Sequence, residues 1–500
     1  MKIKYLHFLL LLLVLLTSSC QFNGTSTEIE DQFIDANSIV GDRPGISAHV
    51  SQEAIDSGVI SLVKVISIGE ILFLSSFNAL DGAGRPETNG DIDLRDRQEF
   101  PNNFNRISGP DANACSGCHN LPFAGGGGDN VANVFVSAGE IGFVDFGLQS
   151  LNRDDFLSLQ SVGNERNTLG MFGSGYIELL AKEMSDDLAE IRHQAFWDSR
   201  NSGSIITVAL VTKGVDFGTI EVHPDGVIYT DKIEGIDEDL VIKPFGQKGS
   251  IVSLRQFSVA AMNLHHGMQA VETYGLNTDL DQDGVINELT VGDMTAISIF
   301  QATLPPPEFV KPDNINANLA VKEGRELFTK IGCSSCHIQE LPLESTIFSE
   351  PNPYNPNRIY SEENGATPLY FDLIDFHAVD NFNRDEKGNL LIPVFTDLKR
   401  HEMGARLDNE LVGHCERSTS GNCEGIPSGQ WITRKLWGFA SEPPFLHHGR
   451  ATLIGESINA HGGEASKAQE KFSGLDQMEQ NSIIEFLQTM QIPTTVLQGT

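Results

Sequence analysis

The chain has 500 residues, 40% of them hydrophobic, enough for two or three globular units with cores of their own. Its formal net charge of -34, from 68 acidic against 34 basic residues, argues against nucleic acid and against anionic membrane surfaces as partners. The same charge favours a basic protein partner, with general solubility as the simpler alternative.

Lys2 and Lys4 precede an apolar run from Phe8 to Leu16, and Thr17, Ser18 and Ser19 then lead to Cys20. This reads as a bacterial export signal. Cleavage before Cys20 would remove residues 1–19 as a lipoprotein signal peptide and leave a lipid on Cys20, although Thr17 stands where such signals usually have Leu or Val. The run is too short to span a bilayer. The expected mature protein is periplasmic, membrane-anchored through its lipid and otherwise soluble. Residues 20–50 form a tether, polar and rich in Ser, Thr, Asn and acids over its first part.

The expected fold class is mainly α, with two cytochrome c-like haem domains, long loops and a small inserted β-sheet. In the first domain, residues 51–310, Gly69-Glu70-Ile71-Leu72-Phe73 reads as a helix, followed by a polar, Gly-rich stretch and then Cys115-Ser116-Gly117-Cys118-His119. Short β-rich runs, Ile205 to Val211, Ile220 to Val222 and Val227 to Tyr229, mark the insertion at about 204–249. Met294, Ile297, Phe300 and Leu304 repeat at helical spacing before Pro305 and close the unit. The second domain, residues 311–500, repeats the plan. Gly324-Arg325-Glu326-Leu327-Phe328 precedes Cys333-Ser334-Ser335-Cys336-His337, and Ile483, Ile484, Phe486 and Leu487 lead to Pro493.

Cys-x-x-Cys-His is the attachment signature of a c-type haem. Two thiols at this spacing reach the two vinyl groups of one porphyrin, and the next residue falls under the iron as its ligand. A disulfide exchanger has no use for that histidine, and a zinc site does not call for it twice. Cys115, Cys118 and His119, with Cys333, Cys336 and His337, are therefore assigned to two covalently bound c-type haems. Of seven cysteines, four serve haem and one lipid. The remaining two, Cys415 and Cys423, are either a small disulfide loop worth about 2 to 3 kcal/mol or two buried thiols.

The second half carries Val394-Phe395-Thr396-Asp397-Leu398-Lys399-Arg400-His401-Glu402-Met403-Gly404, then Lys435-Leu436-Trp437-Gly438. Pro444-Phe445-Leu446-His447-His448-Gly449-Arg450-Ala451-Thr452-Leu453 and His461-Gly462-Gly463-Glu464-Ala465 follow. With Arg166-Asn167-Thr168, Gly173-Ser174-Gly175 and His265-His266-Gly267-Met268-Gln269 from the first half, the chain resembles the di-haem cytochrome c peroxidase superfamily, most closely its di-haem oxidoreductase branch. That resemblance implies reduction of peroxide at the first haem by electrons entering through the second. Its rivals are an electron carrier with both irons closed by two histidines, and a di-haem oxidase of a protein or organic substrate.

In that superfamily the distal ligand of the second haem lies fourteen residues after the His of a Pro-Tyr/Phe-x-His motif, which from His447 lands on His461. Well-known members have Met there, and His lowers the potential relative to Met. Met403 and His401 are the fallback ligands. No histidine lies between Asn120 and Ile191 to cap the first iron. The best remaining cluster is His265, His266, Gln269 and Glu272, with Glu272 or Gln269 as the acid-base group and His266 as a candidate metal ligand, against a plain polar helix face. Trp197 is similar to a tryptophan that sits between haems in some relatives, though a core aromatic is the simpler reading.

Asp279, Asp281, Asp283 and Gly284 open a calcium-loop pattern, so calcium is a candidate ion. The bidentate Glu expected at its twelfth position is replaced by Thr290, with Glu288 two residues early and Asp293 three after. A solvated acidic turn is the alternative.

Overall fold

The computed structural model describes residues 41–84, 112–128, 131–133, 165–281, 283–377, 379, 382–408 and 426–492. The export signal, Cys20, most of the tether, Cys415, Cys423 and Pro493 lie outside the described residues. No helix among the described residues is long and apolar enough to cross a membrane.

Helix α1, Leu62–Leu74, starts where the Ser61 side chain accepts the Lys64 N–H, and buries Val65, Ile68, Leu72 and Phe73. The short helix α2, Cys115–Cys118, carries the first motif. A long helix that the periodicity search missed, α3, runs from Ser174 to Ser202 between two left-handed glycines, Gly173 and Gly203. Its buried stripe of Tyr176, Ile177, Leu180, Met184 and Leu188 packs over the inserted sheet. That sheet is a three-stranded antiparallel meander of β1, Ile206–Thr212, β2, Val215–Val222, and β3, Ile228–Ile233. Helix α4, Leu254–Ala261, runs into a π-turn over Met262–His266, and α5, Val291–Ala302, packs back on α1.

The second half repeats this crossing. Helix α6, Ile315–Ile331, ends at the left-handed Gly332, which turns the chain directly into Cys333. Strands β4, Arg400–Glu402, and β5, Gln430–Ile432, pair antiparallel with His401 opposite Trp431. Helix α7, Ile454–Ala460, leads to His461, and α8, Gln477–Gln488, packs on α6 as α5 packs on α1.

The two crossings rest on the same device. A Cβ on Gly69 would come within 2.0 Å of the Ala296 carbonyl oxygen, and one on Gly324 within 1.9 Å of that of Ser482. Only glycine allows the backbones this close. The Gly-x-x-x-Phe repeat also places Phe73 6.2 Å from the His119 ring at 51°, and Phe328 6.3 Å from the His337 ring at 52°. Gly324→Ala should therefore force α6 and α8 apart and lower stability by about 1–3 kcal/mol, measured by urea unfolding; an unchanged midpoint would refute the close-packing account.

The larger core gathers α1, α3, the sheet and α5, but also Leu341, Leu343, Phe348, Leu390, Ile392 and Val394 from beyond residue 311. The smaller core joins α6 and α8 through Leu327, Phe328, Phe395, Ile483 and Phe486. The intervening segment is thus shared between the halves.

Candidate functional site

Each motif histidine is partly buried and uses Nδ1 on a backbone carbonyl. His119 Nδ1 lies 3.2 Å from the Gly126 oxygen, and His337 Nδ1 lies 3.0 Å from the Phe395 oxygen. An Nδ1–H donated to a carbonyl fixes the tautomer that leaves the Nε2 lone pair for a metal. Burial pushes both imidazoles down to about 4, so they are neutral bases at neutral pH. The same burial pushes the Cys115 thiol up to about 12 and that of Cys333 to about 11. Protonated thiols of this kind are poor nucleophiles for disulfide exchange. None of the four motif cysteines is in a disulfide.

His119 opens on a cavity with an apolar wall of Met171, Ile177, Leu254, Phe257 and Leu398. Arg434 and Lys435, just past β5, line it as well. Among the described lining residues, His119 is the only imidazole and Met171 the only thioether. A flat, largely apolar group with an iron at its centre and two acid arms fits this lining, with a neutral Nε2 on one side.

At the second motif, His461 donates Nδ1–H to the Ser457 oxygen at 2.7 Å, the arrangement already seen at His119 and His337. Burial holds its imidazole below the usual range, and it lies close enough to His337 to depress that ring's basicity. His401 differs. Its Nε2 bonds Asp397 at 2.8 Å and its Nδ1 bonds Glu464 at 2.7 Å. Against the penalty of burial, these two carboxylates hold it as an imidazolium, up to about 11. With both nitrogens engaged it has no lone pair to offer. The Cys336, Asp397 and His401 grouping is therefore an ion pair beside the motif rather than a metal cage.

The His265 to Glu272 cluster does not stay on one helix. The π-turn ends α4 at His266, whose Nδ1 lies 2.6 Å from the Ala112 oxygen and whose Nε2 lies 3.9 Å from Cys115 Sγ. His266 thus touches the first motif but not the cavity lining. Glu272 lies elsewhere. Its carboxylate takes Arg255 Nε at 3.0 and 3.1 Å and Nη2 at 2.6 Å, while Arg255 Nη1 reaches Glu350 at 2.6 Å. Glu272 is the counter-ion of a fully buried arginine and is not brought to the cavity, because the long-range partners that hold it lie in both halves of the chain. Gln269 is likewise turned away: its Nε2 donates to Asp281 Oδ1 at 2.5 Å, and its Oε1 accepts the Leu280 N–H at 3.3 Å.

Gln269 leads to the acidic loop, where carboxylate oxygens of Asp279, Asp281 and Asp283 lie within 4.8 Å of one another. Glu288 enters from the buried side, 1% exposed, with Oε2 accepting the Gln269 N–H and Oε1 without a partner. Burial, with Asp281 next, pushes Glu288 up to about 10. Thr290 and Asp293 instead cap α5 reciprocally, so neither serves the loop.

Trp197 is exposed on α3, edge-on to the rings of His193 and Phe196, and is not a core aromatic. Trp431 is buried, stacked on His447 at 3.5 Å with Lys248 Nζ 3.8 Å from its ring centre. Sequence reasoning missed Arg255, Arg434 and the cavity face of Lys435. For Lys435 the only signal was its place in Lys435-Leu436-Trp437-Gly438.

Residues 377–490 match a family described as "Di-haem oxidoreductase, putative peroxidase". No curated protein matches the chain. Among solved structures, hydrazine synthase of Kuenenia stuttgartiensis under xenon pressure is 15% identical over 55% of this chain and 78% of its own, at a TM-score of 0.26, too loose to carry an argument.

Proposed function

We propose that this chain, whose residues 377–490 match the di-haem oxidoreductase family, is a peroxidase in which electrons enter at the second motif and peroxide is reduced at the first. The two haems are attached through Cys115 and Cys118, with His119 as ligand, and through Cys333 and Cys336, with His337, each in a cytochrome c-like half. Bound haem supplies one-electron chemistry at one site and the two-electron reduction of peroxide at the other. The asymmetry between the motifs carries this reading. A second imidazole stands near each motif histidine, His461 near His337 and His265 near His119, but His119 also opens on a largely apolar cavity. A closed axial position suits electron transfer and an open one suits a small substrate. His119 and His337 are held by backbone carbonyls in the tautomer a metal needs, and the wall of the His119 cavity is largely apolar.

The export signal and the acidic charge support a periplasmic, lipid-anchored protein served by a small basic cytochrome or cupredoxin. The test is spectroscopic. Protein matured in a host that attaches c-type haem should gain two haem masses, show one high-spin and one low-spin ferric haem, and oxidise reduced cytochrome c with peroxide. Two low-spin haems with no peroxide turnover would point to the electron carrier with both irons closed by two histidines.

Calcium belongs to the same proposal, held by Asp279, Asp281, Asp283 and Glu288. The buried, unpartnered Glu288 Oε1 supports it, since an isolated acid this deep is expensive without a cation. Calcium at 100 times its Kd should stabilise the protein by about 2.7 kcal/mol over protein in chelator, and Glu288→Gln should abolish most of the gain. Because Glu288 titrates up near 10, binding expels its proton, and affinity should rise from pH 6 to pH 8. Calorimetric melting with and without calcium decides this; equal melting temperatures would remove the ion.

A further inference from the structure

The cavity at His119 carries a charge imbalance that the peroxidase reading leaves unused. Arg434 and Lys435 both line it, and each has given up only part of its donor capacity. Lys435 Nζ donates to the Phe172 carbonyl oxygen at 2.6 Å, and Arg434 Nη2 pairs with Glu442 Oε2 at 2.9 Å. An ammonium has three N–H donors and a guanidinium five. Among the described residues the carboxylate paired with them is Glu442, which is 3% exposed and also accepts the Gly170 N–H at 3.2 Å. Among the described residues, two cations therefore face one committed anion, inside a chain whose net charge is -34. Lys435 lies deep in the protein yet keeps part of its surface open, and the opening is the cavity. Burial without a full counter-charge draws its amine down to about 8, so it is still mostly protonated at neutral pH. A carboxylate entering the cavity would restore the balance and take charge-assisted hydrogen bonds from both side chains.

We propose that Arg434 and Lys435 form a carboxylate-binding subsite in the His119 cavity, rimming an otherwise apolar wall. The inference rests on the haem reading of that cavity. Its occupant is a carboxylate from one of two sources, a propionate arm of the haem held by Cys115 and Cys118 or a small free carboxylate in the substrate's place.

The test uses full-length protein matured with haem, compared with Lys435→Met, which keeps the buried stem, and with Lys435→Arg, which keeps the charge; Lys435→Gln replaces the first should it fail to accumulate. Haem mass is read first. Wild-type protein without two haem increments overturns the haem reading and this subsite with it, whereas two increments allow the subsite to be judged alone. If a propionate is the occupant, Lys435→Met lowers the midpoint potential of one haem, because a cation that favoured the reduced state is gone. Lys435→Arg restores it, and sodium formate binds no differently. If a free carboxylate is the occupant, sodium formate gives a saturable Soret shift whose affinity falls about tenfold or more in Lys435→Met and recovers in Lys435→Arg. Unchanged potentials together with unchanged formate titrations in a variant carrying both haems overturn the proposal.

Discussion

Replacing Arg255 by Met should lower the unfolding free energy by about 3–5 kcal/mol, the expected cost of leaving a buried charge partner uncompensated. Arg255 is fully buried and joins Glu272 near the end of the first half to Glu350 in the second, with Thr295 Oγ1 and the Val291 carbonyl completing its donors. The deficit should also depend on pH. Even with Arg255 present, burial pushes Glu350 up to about 7, above the usual value near 4.3 in the unfolded chain. Between those values the native state holds a proton that the unfolded state has released, so stability declines as pH rises through that window. Without the arginine the carboxyl rises further and the window extends upward. The loss should be larger at pH 8 than at pH 5. Urea titrations at both pH values measure it, and a deficit under 1 kcal/mol at pH 8 would mean that the pair is not coupled as the distances indicate. Glu272→Gln belongs to the same experiment: as a counter-ion, Glu272 should affect stability, not the pH profile of peroxide turnover.

What could be read from the chain alone was whatever is local. The haem motifs occupy five consecutive residues, and the Gly-x-x-x-Phe repeat fixes both a helix crossing and the ring beside each motif histidine within one helical turn. The meander was legible because a Pro-Asp-Gly turn separates alternating apolar runs. The role of Glu272 was not legible, because it depends on a residue seventeen positions upstream and another in the opposite half. Nor was the π-turn that takes His266 off the face shared with Glu272. The acidic loop was half visible: its spacing marks Asp279, Asp281 and Asp283, but only packing reveals Glu288 buried behind them and Asp293 committed to a cap. Lys435 illustrates the same limit. A lysine beside Leu436 and Trp437 says nothing of a cavity built from residues hundreds of positions away.

His461→Ala should convert the haem at His337 from low-spin to high-spin in the ferric state, and added imidazole should reverse the change. The argument runs through hydrogen bonds. A histidine that donates Nδ1–H to a carbonyl presents Nε2 as a base, and His461 does this with Ser457 at 2.7 Å, as His337 does with Phe395 at 3.0 Å. His401 cannot take over, because Asp397 and Glu464 occupy both its nitrogens, and freeing either would strand a carboxylate beside the motif. Met403 is the remaining fallback. His461→Met separates the two: thioether ligation at that position should raise the potential of the haem and keep it low-spin, whereas a ligand at Met403 would leave both spin state and potential unchanged in either variant. A low-spin His461→Ala protein that becomes high-spin only when Met403 is also removed would transfer the role to Met403. In that case the asymmetry between a closed second site and an open first one would have to rest on a thioether instead of an imidazole, and the second haem would sit at the higher potential that electron entry in the better-known peroxidases requires.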